Sequence, residues 1–298
     1  YKLPLNAGAI YHTLNSLKEV NRPEEDLFWK NFSSTFPVAW KTGTSYGNRD
    51  AWSIGVTPEY TVGIWVGNAS GEGRPGLTGI NAAAPIMFDV LKILRPTKWF
   101  DMPYDDMQKA AVCKYSGHRA SRICPSVDTI WIPTKGLESP ACPYHQIFHT
   151  DKNEIFRVNT SCESISNIIS KPWFVLPPVQ EYYFRQKNSF YKQLPPLRTD
   201  CRASGSLQKS MDLIYPPENA KIFIPYEIDG SEGEVVFKLA HRNNNKEVYW
   251  HLNDEFITAT TIFHEISLKP LAGKHTLTVV DESGETITRK FEIIARKQ

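Results

Sequence analysis

The stretch that most constrains this chain is Trp40-Lys41-Thr42-Gly43-Thr44-Ser45, followed by Tyr46-Gly47-Asn48-Arg49-Asp50-Ala51-Trp52. An apolar lead-in, Pro37-Val38-Ala39-Trp40, runs into a lysine, two hydroxyls and a glycine, and a further apolar strand, Tyr60 to Val66, follows shortly after. This spacing predicts a hairpin edge that carries chemistry. A strand lying beside an extended peptide needs a glycine where two backbones approach closely, and hydroxyls on alternate residues to face the ligand. Thr42 and Thr44 are such alternates with Gly43 between them, and Lys41 places a cation at the mouth of the strand, where it can hold a carboxylate or steer a proton.

The flanks predict the covering layers. Ile10, Leu14, Leu17 and Val20 recur at helical spacing, so a helix is expected over 6–20, capped by Asn6 and ended before Pro23. His12 on it reads as structural, and Glu24, Glu25 and Asp26 read as a solvated loop. After the glycine-rich loop 68–79, a second helix is expected from Asn81, with Ala82, Ala83, Ile86, Val90, Leu91 and Leu94 as its apolar stripe and Pro85 in its first turn. Arg49 and Asp50 are expected to pair across the hairpin turn, whereas Glu72, Arg74 and Asp89 read as solvent-facing charges.

Beyond Arg95-Pro96 the character changes. Residues 97–209 hold all five cysteines and many prolines, with no sustained period, and read as a connector. Trp173 to Pro178, Tyr182 to Phe184 and Leu194 to Leu197 interleave proline with aromatics, as a semi-rigid spacer would. The stretch Cys113 to Cys124 is expected to form a hairpin with Ser116-Gly117 at its tip. Cys113, Cys124, Cys142 and His145 are ligand types for a structural zinc ion, yet only one close pair, Cys-x-x-His, is present; disulfides are the competing use. From Met211 short strand candidates recur at about ten-residue spacing: 212–217, 221–226, 234–241, 247–252, 262–268, 274–280 and 286–293. Their turns include Asp229-Gly230, Asn243-Asn244-Asn245, Ala272-Gly273 and 281–284, and Trp250 is the expected core tryptophan of a small β-sandwich. In the strand 234–241, Lys238 and His241 are expected to point outward, and the dispersed His241, His251, His264 and His275 are expected to be exposed or half-buried strand residues, not ligands.

Composition narrows the function. A charged fraction of 22% and a hydrophobic fraction of 41% fit ordinary globular domains, and a net charge of +2 gives no electrostatic case for nucleic acid. No run approaches the twenty or so apolar residues of a membrane span. The chain starts at Tyr1 without methionine, and neither a Ser-x-x-Lys nor a Ser-x-Asn precedes Lys41, so it reads as a piece of a longer polypeptide.

Trp40 to Gly47, then Arg49-Asp50-Ala51-Trp52, Gly55-Val56 and Gly63-Ile64-Trp65-Val66-Gly67, closely resemble the end of the transpeptidase domain of class A penicillin-binding proteins. More loosely, 210–298 resembles the immunoglobulin-like domain appended at the C-terminus in that family. The resemblance implies an α+β multidomain chain: the C-terminal portion of a transpeptidase sheet with covering helices over 1–96, a cysteine-containing connector over 97–209, and an immunoglobulin-like β-sandwich over 210–298. It implies a membrane-anchored, periplasmic parent with a glycosyltransferase and a serine D,D-transpeptidase. Its partners would be peptidoglycan stem peptides and β-lactams, and it would need no cofactor and no metal. Lys41 and Thr44 would be catalytic, with Thr42, Gly43 and Thr44 binding substrate. Thr42 and Thr44 would hold the substrate carboxylate through their hydroxyls, and the Thr44 N–H would serve the oxyanion hole. An extracytoplasmic parent favours disulfides, with Cys113–Cys124 as the expected pair. Lacking the nucleophilic serine, the chain is expected to be inactive alone; the alternative is a non-catalytic docking module for envelope proteins or peptidoglycan.

Overall fold

The computed structural model describes residues 5–23, 36–95, 98–201, 208–224 and 233–294. The acidic run 24–26, the Asp229-Gly230 turn and the end of the expected strand 221–226 lie outside them. The chain divides into two compact units, Tyr1–Lys114 with Val127–Ala141, and Tyr115–Ser126 with Cys142–Gln298. β-Structure predominates, and helices are few. Among the described residues no helix is long and apolar enough to cross a membrane.

The first unit is built on an antiparallel sheet of β1 (Ala39–Thr44), β2 (Asp50–Val56) and β3 (Thr61–Gly67), in that order, so among the described residues β1 is an edge. Strand alternation puts Trp40 on the buried face, with Val38 and Ala39 also enclosed. Helix α1 (Ala7–Lys18) forms as expected, its Asn6 side chain accepting from the Ala9 N–H at 2.7 Å. His12 is structural, its Nε2 standing 3.0 Å from the Trp131 carbonyl oxygen. Helix α2 (Ala84–Ile93) carries Pro85 in its first turn and is preceded by a wider π-type turn, Gly79–Ala83. Its buried face is Ala84, Met87, Phe88 and Leu91, one i, i+3, i+4, i+7 stripe, and Phe88 meets Trp40 edge-on at 5.0 Å. Ile86, expected on that face, is exposed, because the π-type turn resets the phase of the helix after Ala83. Strands β4 (Met107–Cys113) and β5 (Val127–Pro133) pair antiparallel. The hairpin expected between Cys113 and Cys124 is therefore a wide loop between two strands, with Cys113 opposite Val127.

In the second unit β6 (His145–Thr150) pairs with β7 (Ile169–Phe174), followed by helix α3 (Pro178–Lys187). The region read as a patternless connector thus has regular structure. Its disulfide is Cys162–Cys201, with Cα atoms 4.8 Å apart. The expected Cys113–Cys124 bond is absent: both remain thiols, as does Cys142, because the loop 114–126 carries Cys124 to the second unit, where it and Cys142 face the His145 imidazole.

The remainder forms two sheets around one core. The first runs β13 (Glu265–Leu268), β10 (Val235–His241), β8 (Met211–Tyr215). The second runs β12 (Glu255–Thr260), β11 (Val248–Leu252), β14 (Gly273–Asp281), β15 (Thr286–Ile293), β9 (Ala220–Ile222). Phe237, Leu239 and Met211 from one sheet share that core with Trp250, Leu277, Val279 and Phe291 from the other. Trp250 is fully buried, its indole N–H donating to Thr260 Oγ1 at 2.9 Å. Strand β10 is central in its sheet, and His241 is buried with Nε2 3.4 Å from the Asp281 carboxylate, so the outward position expected for it is wrong. His264 is buried as well, its ring 5.9 Å from that of His241. Strand β12 is an element the sequence reading passed over, although Asn253 and Asp254, at φ 51° and 70°, make the two-residue left-handed turn that joins it to β11. Helix α3 contributes a buried acid, Glu181, which pairs with Arg242 just past β10 and accepts from Gln193 Nε2 at 3.1 Å.

Candidate functional site

The hairpin β1–β2 is held by its turn. Ser45 N–H donates to the Asp50 carbonyl at 3.0 Å, Asp50 N–H returns to Ser45 Oγ at 2.8 Å, and Asn48 N–H donates to the Ser45 carbonyl at 3.1 Å. Gly47 and Asn48 take φ of 75° and 53°, in the left-handed region that glycine and asparagine enter most readily. The Asp50 carboxylate accepts from the Trp65 indole at 2.9 Å, so it is spent on fixing β2 to β3, and the expected Arg49–Asp50 ion pair is not formed.

Register and alternation then sort the candidate residues by face. Lys41 and Gly43 stand opposite Ile54 and Trp52, and Trp52 stands opposite Trp65 across to β3. All of these are exposed, Trp52 at 45% and Trp65 at 44%. A β-carbon on Gly43 would lie 3.6 Å from that of Trp52, an ordinary contact, so the glycine is not required there by crowding. Lys41 Nζ curls back to donate to the Thr42 carbonyl at 2.7 Å. Thr42 and Thr44 lie on the opposite face, toward Gly79, and Thr44 Oγ1 accepts the Gly79 N–H at 3.0 Å. The two hydroxyls therefore share a face as expected, and Lys41 is on the other one.

Gly79 is the residue that sequence reasoning missed. It sits where the loop 68–79 turns into helix, and a β-carbon on it would meet the carbonyl oxygens of Trp52 and Gly43 at 2.5 and 2.6 Å. Only a glycine lets this backbone lie on the candidate strand and hand its N–H to Thr44. The available signal was a glycine immediately before the apolar stripe of α2. Of the charges set aside, Glu72 and Arg74 are exposed, and Asp89 is exposed and pairs with Lys92 at 3.2 Å.

In the second unit Cys124, Cys142 and His145 are brought together, His145 Nδ1 standing 3.5 Å from Cys124 Sγ and 3.5 Å from Cys142 Sγ. Burial holds the His145 imidazole below its ordinary pKa, which favours the neutral ring.

The chain is similar in sequence to penicillin-binding proteins. The Penicillin-Binding Protein C-terminus Family matches residues 201–291. Penicillin-binding protein 1C of Escherichia coli (strain K12) is 27% identical over 271 residues, which are 86% of this chain and 34% of the relative. A penicillin-binding protein 1A of Clostridium perfringens is 27% identical over 127 residues, 39% of this chain and 15% of its own length. Another, of Rickettsia typhi, is 36% identical over 84 residues, covering 27% and 11%. The chain thus spans about a third of the length of the first of these relatives.

Proposed function

We propose, for a chain that belongs to the penicillin-binding proteins, that it supplies the substrate-binding strand of a D,D-transpeptidase within a bifunctional, extracytoplasmic peptidoglycan synthase. The observation that carries this reading is that the Lys-Thr-Gly strand is the edge of its sheet: among the described residues β1 pairs with β2 alone, and its other backbone edge can receive an extended stem peptide or a β-lactam. In this reading Thr42 and Thr44 hold the substrate carboxylate, and the Thr44 N–H donates to the oxyanion. Lys41 neutralises charge beside a serine nucleophile supplied from outside this sequence. The Gly79 N–H fixes the rotamer of the Thr44 hydroxyl. The exposed Trp52, Ile54 and Trp65 suit a face that the rest of a transpeptidase domain covers. The two sheets of 210–298 are read as an immunoglobulin-like sandwich, and the division 1–96, 97–209, 210–298 as the functional one.

A docking role for the sandwich is the second reading, favoured by the apolar group Phe256, Ile262 and Phe263, the last 78% exposed. Acylation separates the two. The chain alone should not be labelled covalently by a fluorescent penicillin. In the full-length protein, Lys41→Ala should lower acylation on the order of 100-fold, as loss of a preorganised electrostatic partner does. Labelling of the isolated chain that survives denaturation overturns the external nucleophile, and unchanged acylation in the variant overturns the transpeptidase reading.

A further inference from the structure

The second unit holds a cavity of about 920 Å³ that has no part in the function proposed above. Helix α3, the extended segment 193–197 and the turn 242–246 that follows β10 wall it. We propose that it binds the carboxylate of an extended peptide on the guanidinium groups of Arg157 and Arg185. A volume of this size is that of a ligand pocket, and a few fixed polar groups in such a pocket decide what it takes. Each of the four carboxylates in the lining already has its partners. Glu154 pairs with Lys171 and Lys192, and Glu181 with Arg242. Asp281 accepts from the N–H groups of Ser283 and Glu285 at 2.9 and 2.8 Å, and Glu285 accepts the Ser210 N–H at 3.0 Å. Lys246 is spent on Glu282. That leaves Arg157 and Arg185, which form no ion pair among the described residues.

Arg157 is held as a receptor would hold it. Its N–H donates to the Pro196 carbonyl at 2.8 Å, and its carbonyl accepts the Arg198 N–H at 3.0 Å. Its Nε–H donates to the Pro195 carbonyl at 2.7 Å, and the guanidinium carbon lies 5.9 Å from the centre of the Phe148 ring. One edge of the group is thereby fixed, and its two terminal nitrogens have no hydrogen-bond acceptor among the described residues. Burial pulls the Arg157 pKa down with no carboxylate to pull it back, whereas pairing with Asp200 and Glu163 raises that of Arg198. A half-buried cation without a counter-ion is costly, and a bound anion removes that cost. Arg185 reaches the Arg242 carbonyl from Nη1 at 3.3 Å, a long bond that a charged acceptor outcompetes. A planar guanidinium takes a carboxylate through two parallel N–H···O bonds. The five lysines and arginines in the lining exceed its carboxylates by one, so a single negative charge balances the cavity and a phosphate dianion overloads it. The amides of Asn243, Asn244 and Asn245 stand in the same walls as Leu194 and Leu197, a mixture that suits a peptide backbone with apolar side chains better than a bare ion.

The test uses the whole chain, isotopically labelled at nitrogen, with the arginine Nε–H signals followed by NMR and those of Arg157 and Arg185 assigned by their loss in Arg157→Lys and Arg185→Lys. The probe is N-acetyl-trialanine with a free C-terminal carboxylate; its C-terminal amide and inorganic phosphate are the comparisons. The free acid is expected to shift both signals along one saturable curve. The amide should bind at least about tenfold more weakly, as loss of a charged hydrogen-bond partner predicts, and phosphate more weakly than the acid. Arg157→Gln and Arg185→Gln should each weaken the acid about tenfold, and Arg157→Lys, which keeps the charge and loses the fork, should weaken it too. Lys187→Gln, at an exposed position of α3 outside the lining, should bind as wild type. Because Arg157→Gln also breaks the bond to Pro195, Arg185→Gln serves beside it, since that side chain gives up only one long bond. No saturable shift with the free acid up to about 50 mM overturns the proposal. So do equal binding of acid and amide, tighter binding of phosphate, or wild-type affinity in Arg185→Gln.

Discussion

Replacing Gly79 by alanine tests whether the loop that precedes α2 is locked onto the Lys-Thr-Gly strand. The added β-carbon would lie 2.5 Å from the Trp52 carbonyl oxygen, 2.6 Å from that of Gly43 and 2.8 Å from Thr42 Cβ. Ordinary contacts are near 3.5 Å, and two of these three neighbours are backbone atoms of paired strands that cannot swing aside. Overpacking of this kind costs about 1–3 kcal/mol. The loop must retreat, and with it goes the hydrogen bond from Gly79 N–H to Thr44 Oγ1, about 1 kcal/mol more. Alanine's better helical propensity returns less than about 1 kcal/mol. The net expectation is a loss of about 1–4 kcal/mol, read from urea unfolding followed by tryptophan fluorescence, Trp40 being fully buried in this unit. Gly63→Ala is the control, since a β-carbon there meets nothing within 4 Å; it should stay within about 0.5 kcal/mol of wild type. Thr44→Ala should cost about 1 kcal/mol alone and close to nothing on top of Gly79→Ala, because the bond is then already broken. Gly79→Ala at wild-type stability would refute the locked loop, and strict additivity with Thr44→Ala would show that the retreat does not carry the hydrogen bond with it.

Two further expectations concern the two-sheet region. Trp250→Ala empties the centre of its core and removes the donor to Thr260, so it should cost about 3–5 kcal/mol in urea unfolding; a loss under about 1 kcal/mol would mean the two sheets do not share that core. His264 has its pKa lowered, first by burial and then by the charge of His241, so its stabilising contribution is whole above the unfolded value of about 6.5 and drains as the pH falls toward the folded one. The unfolding midpoint should therefore drop between about pH 7.5 and pH 5, and His264→Gln should flatten that drop; an unchanged slope in the variant assigns it to other groups.

What the sequence made legible, and what it did not, divides by the range of the interaction. Asp281 to Gly284 could be read as a turn because its bonds close within four residues, Asp281 accepting from the N–H groups of Ser283 and Glu285 at 2.9 and 2.8 Å. The cap at Asn6 and the two hydroxyls of β1 were legible for the same reason: a three-residue bond and a two-residue alternation are properties of the string. Glu181 with Arg242, and Cys162 with Cys201, were not, because nothing in either residue's neighbourhood names a partner far along the chain. The cysteine cluster shows the distinction most clearly. Read along the chain it is one close pair and a distant thiol; folded, His145 Nδ1 stands 3.5 Å from the sulfurs of both Cys124 and Cys142. That approach is set by the Cys142–Arg119 bond, which is not a sequence interval. The candidate site divides the same way. Its hydroxyls and its lysine announce themselves in six residues, but the backbone N–H that fixes Thr44 comes from Gly79, and a glycine there is recognisable only once the strand it must lie against has been built.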